Sequence, residues 1–259
     1  MKATVWLWIV AVLVTVFLAR HQRTTGPTYP ISGKTSLGAA TFKYRLERTH
    51  AGAGDQRIEI KPGAPEAEGT LEWRLLGSTG PWTSVAMRHE GGALVAAVPH
   101  QPAGGKVEYR VTLQGGDQQI VLPGKGPAVM RFRDDVPAWV LIPHILAMFG
   151  AMLLSTRAGL EAFNRPSKFR RLTDWTVVVL LIGGFIFGPL VTWYAFGSAW
   201  GGFPLGSDPT DNKTLLAMIG WLAAAIAVRR ARHPSPWVVF AALLMFLVYL
   251  VPHSIAAPR

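Results

Sequence analysis

Five apolar stretches constrain this chain more than any other feature: Val5–Leu18, Trp139–Leu154, Trp175–Phe196, Leu215–Val228 and Trp237–Val251. A helix rises about 1.5 Å per residue, so about 20 mostly apolar residues cross the hydrocarbon of a bilayer. With their flanks, the second, third and fifth stretches reach or approach that length; the first and fourth are shorter. A long polar segment, residues 20–136, separates the first stretch from the rest. Only 16% of residues are charged, against about 25% in soluble domains. The pattern predicts a membrane α-helical bundle of about five transmembrane helices, interrupted by one polar domain.

The chain contains no cysteine. Disulfides, thiolate metal sites, thiol nucleophiles and covalent haem attachment through CxxCH are excluded. The formal net charge is +11. Residues 20–136 hold 15 Lys/Arg against 11 Asp/Glu. Most of the remaining excess sits in two expected loops, one with Arg157, Arg165, Lys168, Arg170 and Arg171, the other with Arg229, Arg230 and Arg232. Basic loops beside hydrophobic spans mark the cytoplasmic side. The charge is therefore a topology signal and points to no nucleic-acid partner. It places the amino terminus inside, residues 20–136 outside, both Arg-rich loops inside, and residues 197–213 and 253–259 outside. Arg20 and Arg23 oppose this order, and the two later loops outweigh them.

The first segment has the basic start and apolar run of a signal peptide. In Val16-Phe17-Leu18-Ala19, bulky Phe17 stands where cleavage needs a small residue, so an uncleaved signal anchor is expected. The expected divisions are an anchor over 1–22, an external domain over 23–135 and a four-helix transmembrane domain over 136–259.

Within the external domain, residues 41–133 read as β. Phe42, Tyr44 and Leu46 alternate with polar residues, as do Ile58 and Ile60, then Leu71, Trp73 and Leu75, then Val107, Tyr109, Val111 and Leu113. Alternation of period two marks strands with one buried face. Turn clusters such as Ala51-Gly52-Ala53-Gly54, Lys61-Pro62-Gly63 and Gly115-Gly116-Asp117 separate them, which suggests an all-β sandwich. The run from Val98-Pro99-His100 through Tyr109-Arg110-Val111 resembles the edge of an immunoglobulin-like or fibronectin type III-like module, in which a Pro/Gly turn feeds a strand carrying a Tyr. That resemblance implies an immunoglobulin-like sandwich and no particular activity. His50 and His100 sit in turn-like contexts. Met87 and His89 share a strand face that a soft metal would accept, although exposed strand ends explain both. No GxSxG, HExxH or glycine-rich phosphate loop occurs, and no catalytic constellation is expected.

His144 is the sharpest residue of the apolar half. Ionisable groups at membrane depth are costly and face the protein interior or a cavity. Met148 and Met152 follow at i+4 and i+8 on the same helix face. Imidazole and thioether can ligate haem iron or copper, with His253 as a second ligand if the last helix lies deep. A neutral histidine hydrogen-bonded between helices, beside gap-filling methionines, explains the same pattern. Gly184 and Gly188 form a GxxxG expected to pack against another helix, and Pro189 follows at once. Asp208, Thr210, Asp211 and Asn212 precede a helix. They suit capping, while Asp208, Asp211 and Asn212 also offer oxygen ligands to a Ca²⁺ ion. Lys213 is expected to pair with a loop carboxylate or a lipid phosphate.

Four fragments resemble an uncharacterised bacterial family of polytopic membrane proteins. They are His144-Ile145-Leu146-Ala147-Met148-Phe149 running into Ser155-Thr156-Arg157-Ala158-Gly159-Leu160-Glu161-Ala162; Gly183-Gly184 with Gly188-Pro189; Phe203-Pro204-Leu205-Gly206-Ser207-Asp208-Pro209-Thr210-Asp211-Asn212-Lys213-Thr214; and Tyr249-Leu250-Val251-Pro252-His253-Ser254. The resemblance covers about residues 140–254, implies a bacterial polytopic membrane architecture and lends no reaction. With the charge topology above, the expected location is the bacterial inner membrane, with residues 23–135 and the carboxyl terminus periplasmic.

These features favour a non-catalytic subunit whose partners are the lipid bilayer and other membrane proteins, with the sandwich docking or bracing a partner. A haem- or copper-binding electron-transfer or metal-handling protein using His144, Met148, Met152 and His253 is the alternative. A transporter is a third. Against it, Asp174, Asp208 and Asp211 flank helices, and no repeated pair of broken helices occurs.

Overall fold

The computed structural model describes residues 2–38, 40–61, 67–164 and 169–252. His253, Arg165, Lys168, Pro62 and Gly63 therefore lie outside the described residues. The chain forms two compact units: Pro27–Asp135, and the first helix together with the segments after Val136.

The helical unit contains α1 (Lys2–Thr25), α2 (Ala138–Glu161), α3 (Phe169–Leu181), α4 (Gly188–Phe196), α5 (Pro209–Arg230) and α6 (Ser235–Leu250). A π-helical turn, Ile182–Phe187, joins α3 to α4. Four helical stretches are long and apolar enough to cross a membrane: Val5–Thr25, Ala138–Glu161, Phe169–Phe196 and Pro209–Arg230. The fifth, α6, is a shorter apolar helix. The helices outrun the apolar stretches because polar flanks remain helical. Asp208, for example, caps α5 and lets the polar run from Pro209 enter the helix.

The inner face of this unit gathers Leu18, Met152, Leu180, Trp221 and Met245, all fully buried. Small residues set the close approaches. A Cβ on Gly159 would stand 2.7 Å from Ala242 Cβ, and one on Gly220 2.8 Å from Leu244 Cδ2, so α6 packs tightly on both α2 and α5. The outward faces are also apolar. Leu13, Leu146, Trp175, Trp193, Ile219 and Phe240 are each at least half exposed.

The β unit contains β1 (Ile31–Leu37), β2 (Ala40–Leu46), β3 (Thr49–Ala51), β4 (Gln56–Lys61), β5 (Glu68–Leu75), β6 (Thr83–Ala86), β7 (Arg88–Glu90), β8 (Ala93–Val98), β9 (Lys106–Gly115), β10 (Gln118–Leu122) and β11 (Ala128–Arg133). One sheet has the order β1-β2-β4-β8-β7; the other has β3-β11-β9-β5-β6, with β10 extending β9 beyond β11. Phe42, Ile58, Ile60 and Leu94 from the first sheet share one core with Leu71, Tyr109, Val111 and Phe132 from the second. Burying each such side chain contributes about 1.5–3 kcal/mol. The chain changes sheets between β2 and β3. There the buried Tyr109 hydroxyl donates to the Glu47 carbonyl at 2.6 Å, and β3 then pairs in parallel with β11.

Three details depart from the sequence expectations. The strands begin at Ile31, because β1 and β2 form a hairpin ahead of residue 41. Leu75 does not join the core; it ends β5 and is exposed. His50 lies within β3 rather than in a turn.

Candidate functional site

Of the residues singled out in the apolar half, His144, Met148, Gly184, Gly188 and Pro189 meet where α2 packs on the π-turn. Pro189 has no N–H to return to the Phe185 carbonyl, and its ring crowds the turn before it. The helix widens there, and the Gly188 N–H reaches back five residues to the Gly183 carbonyl. His144 Nδ1 donates to that same carbonyl at 2.9 Å. A carbonyl is an acceptor only, so the ring presents a proton on Nδ1 to it. Gly183 makes the approach possible. A Cβ there would sit 2.9 Å from Ala147 Cβ and 3.1 Å from both the nitrogen and the sulfur of Met148.

Met148 therefore fills the glycine notch, and Met152 is buried in the helical core. Tyr249 on α6 donates its hydroxyl to the Met148 carbonyl at 2.8 Å, and its ring meets Phe149 edge-on. Of the GxxxG pair, Gly184 faces α5, where an added Cβ would come 2.5 Å from Thr214 Cγ2. Gly188 lies near the His144 ring. Gly183, which the GxxxG spacing does not include, makes the closest approach to α2.

At the end of the unit holding the carboxyl terminus of α6, side chains from other helices take its free carbonyls. His21 Nε2 lies 3.0 Å from the Leu250 carbonyl, and Gln22 donates to the Tyr249 carbonyl at 3.1 Å. Lys213 Nζ donates to the carbonyls of Val251 at 3.1 Å and Pro252 at 2.6 Å. Lys213 thus donates to the carbonyls that follow α6, where a loop carboxylate was expected as its partner. Asp208 Oδ1 accepts from the Thr210 and Asp211 N–H groups. Asp211 Oδ2 accepts from Gly201 N–H at 2.7 Å, and Asn212 Oδ1 from Phe203 N–H at 2.7 Å. These contacts knit the 197–208 loop to the start of α5. Among the described residues no three His, Asp or Glu side chains converge in a way that would hold a metal ion.

The opposite end carries the arginines. Arg229 at the end of α5 pairs with Asp174 near the start of α3 at 2.6 Å. Arg157 is a correction. The sequence places it in a solvated basic loop, but it lies inside α2, 3% exposed, paired with the equally buried Glu161 at 2.5 Å. The Trp8 ring of α1 lies 5.4 Å from its guanidinium carbon. The i,i+4 spacing of Arg157 and Glu161 is visible in the sequence; their burial depends on how α1 and α2 meet.

In the β unit the outer face of β5 and β9 carries a cross-strand charge ladder. Arg110 donates to both oxygens of Glu72, at 2.7 and 3.0 Å, and Arg74 pairs with Glu108. The Trp82 ring lies within 4.5 and 4.7 Å of the two guanidinium carbons. The Arg110 hydrogen bond holds the Glu72 carboxyl below its ordinary range. Beside the ladder runs an open groove of about 570 Å³, lined by Thr70, Ser84, Thr112, Gln114 and Gln119 with His89 at its rim. Met87 is buried against Gly69, while His89 is exposed. At the far side of the unit, His50 contacts Gln56 Oε1 and the Gly54 carbonyl, and its ring, like that of His100, packs edge-on against Phe132.

Compared with known proteins, the chain matches no family model and no curated protein sequence.

Proposed function

We propose that this chain is a non-catalytic integral membrane subunit. Its helices pack within a larger membrane complex, and its β unit docks or braces a partner outside the cytoplasm. One observation carries the reading: His144, the ionisable group at membrane depth, commits its ring proton to the Gly183 carbonyl and so ties α2 to the π-turn. Tyr249, His21, Gln22 and Lys213 are likewise committed to neighbouring helices. These polar groups spend their hydrogen bonds on packing the helices of this chain, which favours a structural role over a reactive one.

Membrane insertion is supported by the apolar residues exposed on every helix, since a surface of that kind needs hydrocarbon around it. The bacterial inner membrane, with the amino terminus cytoplasmic, is supported by charge. Arg170, Arg171, Arg229, Arg230 and Arg232 gather at one end of the helical unit, and Asp208 and Asp211 lie at the other. The carboxyl terminus of α1, joined to that of α6 through His21 and Gln22, lies at the end that holds Asp208 and Asp211 together with Arg20, Arg23 and Lys213. The five arginines at the opposite end outweigh these. The β unit follows α1 in the chain, which supports a periplasmic position.

An immunoglobulin-like sandwich is supported by strand order. Immunoglobulin domains place strands A, B, E and D in one sheet and C, F and G in the other. With β2 as A, β4 as B, β5 as C, β7 as D, β8 as E, β9 as F and β11 as G, both sheets follow that order. The groove and ladder on the β5–β9 face offer a docking surface.

The test is purification in mild detergent followed by native mass measurement, an optical spectrum and metal analysis. A stable heteromeric mass with aromatic absorption alone is expected. A lone monomer would overturn the subunit reading. A Soret band lost in His144→Ala would replace it with the haem reading.

A further inference from the structure

We propose that the α5–α6 turn holds one anionic phospholipid, with an acyl chain between the helices and the phosphate on Arg230. The inference rests on the membrane reading above and goes beyond general contact with a bilayer.

A groove of about 370 Å³, almost wholly apolar, opens between the two helices, lined by Ala223, Ile226, Ala227, Arg230, Ala231 and Trp237. Ala223 and Ala227 lie four residues apart on one face of α5, and Ala231, the extended cap that follows Arg230, continues the lining into the turn. Their short side chains leave that face hollow over about 6 Å of helix, the rise of four residues, before the chain turns at Ala231. Ile226 and Trp237 wall the hollow with hydrocarbon and indole. No side chain among the described residues fills it, and in a bilayer an acyl chain is the occupant its lining fits.

The charge at one end selects the headgroup. Three arginines stand at this turn. Arg229 is committed to Asp174 and to the Ala225 carbonyl. Arg230 and Arg232 are exposed and pair with no carboxylate among the described residues. Arg230 borders the groove itself, so a phosphate on its guanidinium continues directly into a chain lying against Ala227 and Ala223. Trp237, half exposed at the same level, suits the polar boundary where indole rings settle. Basic pockets between helices on the cytoplasmic side recognise anionic headgroups in this way, and arginine grips phosphate through two parallel N–H donors.

The experiment uses the full chain in a neutral detergent, titrated with phosphatidylglycerol or phosphatidylcholine of identical acyl chains, with bound lipid counted by native mass spectrometry. One phosphatidylglycerol is expected to bind ahead of all others, at least tenfold more tightly than phosphatidylcholine. Arg230→Gln, an exposed substitution, lowers that affinity about fivefold, the effect of about one basic side chain near an anionic surface. Ala223→Phe fills the groove and abolishes the preferred site. Inorganic phosphate at matching concentration does not displace the lipid, which separates a lipid site from a plain anion site. Equal retention of the two lipids, displacement by phosphate, or unchanged binding in both variants would overturn the proposal. Alkaline extraction of the same membranes keeps the two readings apart. A protein that stays in the pellet yet shows no lipid preference sinks the lipid site alone, whereas one released to the supernatant sinks the membrane reading.

Discussion

His144 Nδ1 and the Gly183 carbonyl meet at 2.9 Å, where that carbonyl also accepts from Gly188 across the π-turn. One oxygen therefore joins α2 to the widened helix and closes the widening. Replacing His144 by Ala removes this bond and leaves a gap. We expect a loss of about 1–2 kcal/mol, read as a lower unfolding midpoint in detergent. No change in the midpoint would show that the bond contributes nothing to the bundle.

The glycines beside it are ranked by space. A Cβ on Gly184 meets Thr214 Cγ2 at 2.5 Å, one on Gly183 meets Ala147 and Met148 at 2.9–3.1 Å, and one on Gly188 finds nothing nearer than 3.4 Å. Gly184→Ala and Gly183→Ala should each cost about 1–3 kcal/mol through overpacking, with Gly188→Ala milder. Stability measured on the three variants checks the order, and Gly188→Ala emerging as the most damaging would contradict it.

Much of this architecture is legible in the sequence, for identifiable reasons. The five apolar stretches mark the helices because hydrocarbon length and helical rise leave few other solutions. Phe42, Ile58, Val107 and Tyr109 mark strands because one face of each is buried. The rest depends on relations between elements. In β8 the residues Ala93, Leu94, Val95 and Ala96 are buried consecutively, so the alternation that announces a strand is erased. Arg157 reads as part of a basic cluster, and only the packing of α1 on α2 places it inside. Gly183 falls outside the GxxxG spacing because that rule assumes an α-helical repeat, whereas the contact is made by a π-turn. Lys213 reads as a loop cation because its partners, the carbonyls after α6, lie 38 and 39 residues away.

The Arg157–Glu161 pair should respond asymmetrically to substitution. Removing one partner leaves the other charge buried, which costs about 3–5 kcal/mol, whereas replacing both by apolar residues is close to neutral. Glu161→Gln and Arg157→Met are each expected to unfold more easily than the double variant Arg157→Met/Glu161→Leu. Additive losses in the double variant would mean that the two side chains do not act as a pair.

Glu72 gives the β unit a sensitivity to acid. Its folded carboxyl titrates below the ordinary 4.5 because Arg110 donates to it. A depressed carboxylate stabilises the fold above its unfolded value, and that contribution is lost as pH falls through the lower folded value. The pair is partly exposed, so the effect is about 0.5–1 kcal/mol. Glu72→Gln should lower stability at neutral pH and flatten its decline below about pH 4.5, followed by near-ultraviolet circular dichroism. An acid profile identical to that of the unaltered chain would remove Glu72 from the explanation.

The absence of cysteine makes the opposite placement of the β unit and the arginine turn directly measurable. Single cysteines at the exposed positions Thr79 and His233 can be probed with a membrane-impermeant maleimide on spheroplasts. The account predicts that Thr79→Cys reacts from outside, whereas His233→Cys reacts only after the membrane is permeabilised. Labelling of both positions from the same side of an intact membrane would contradict it.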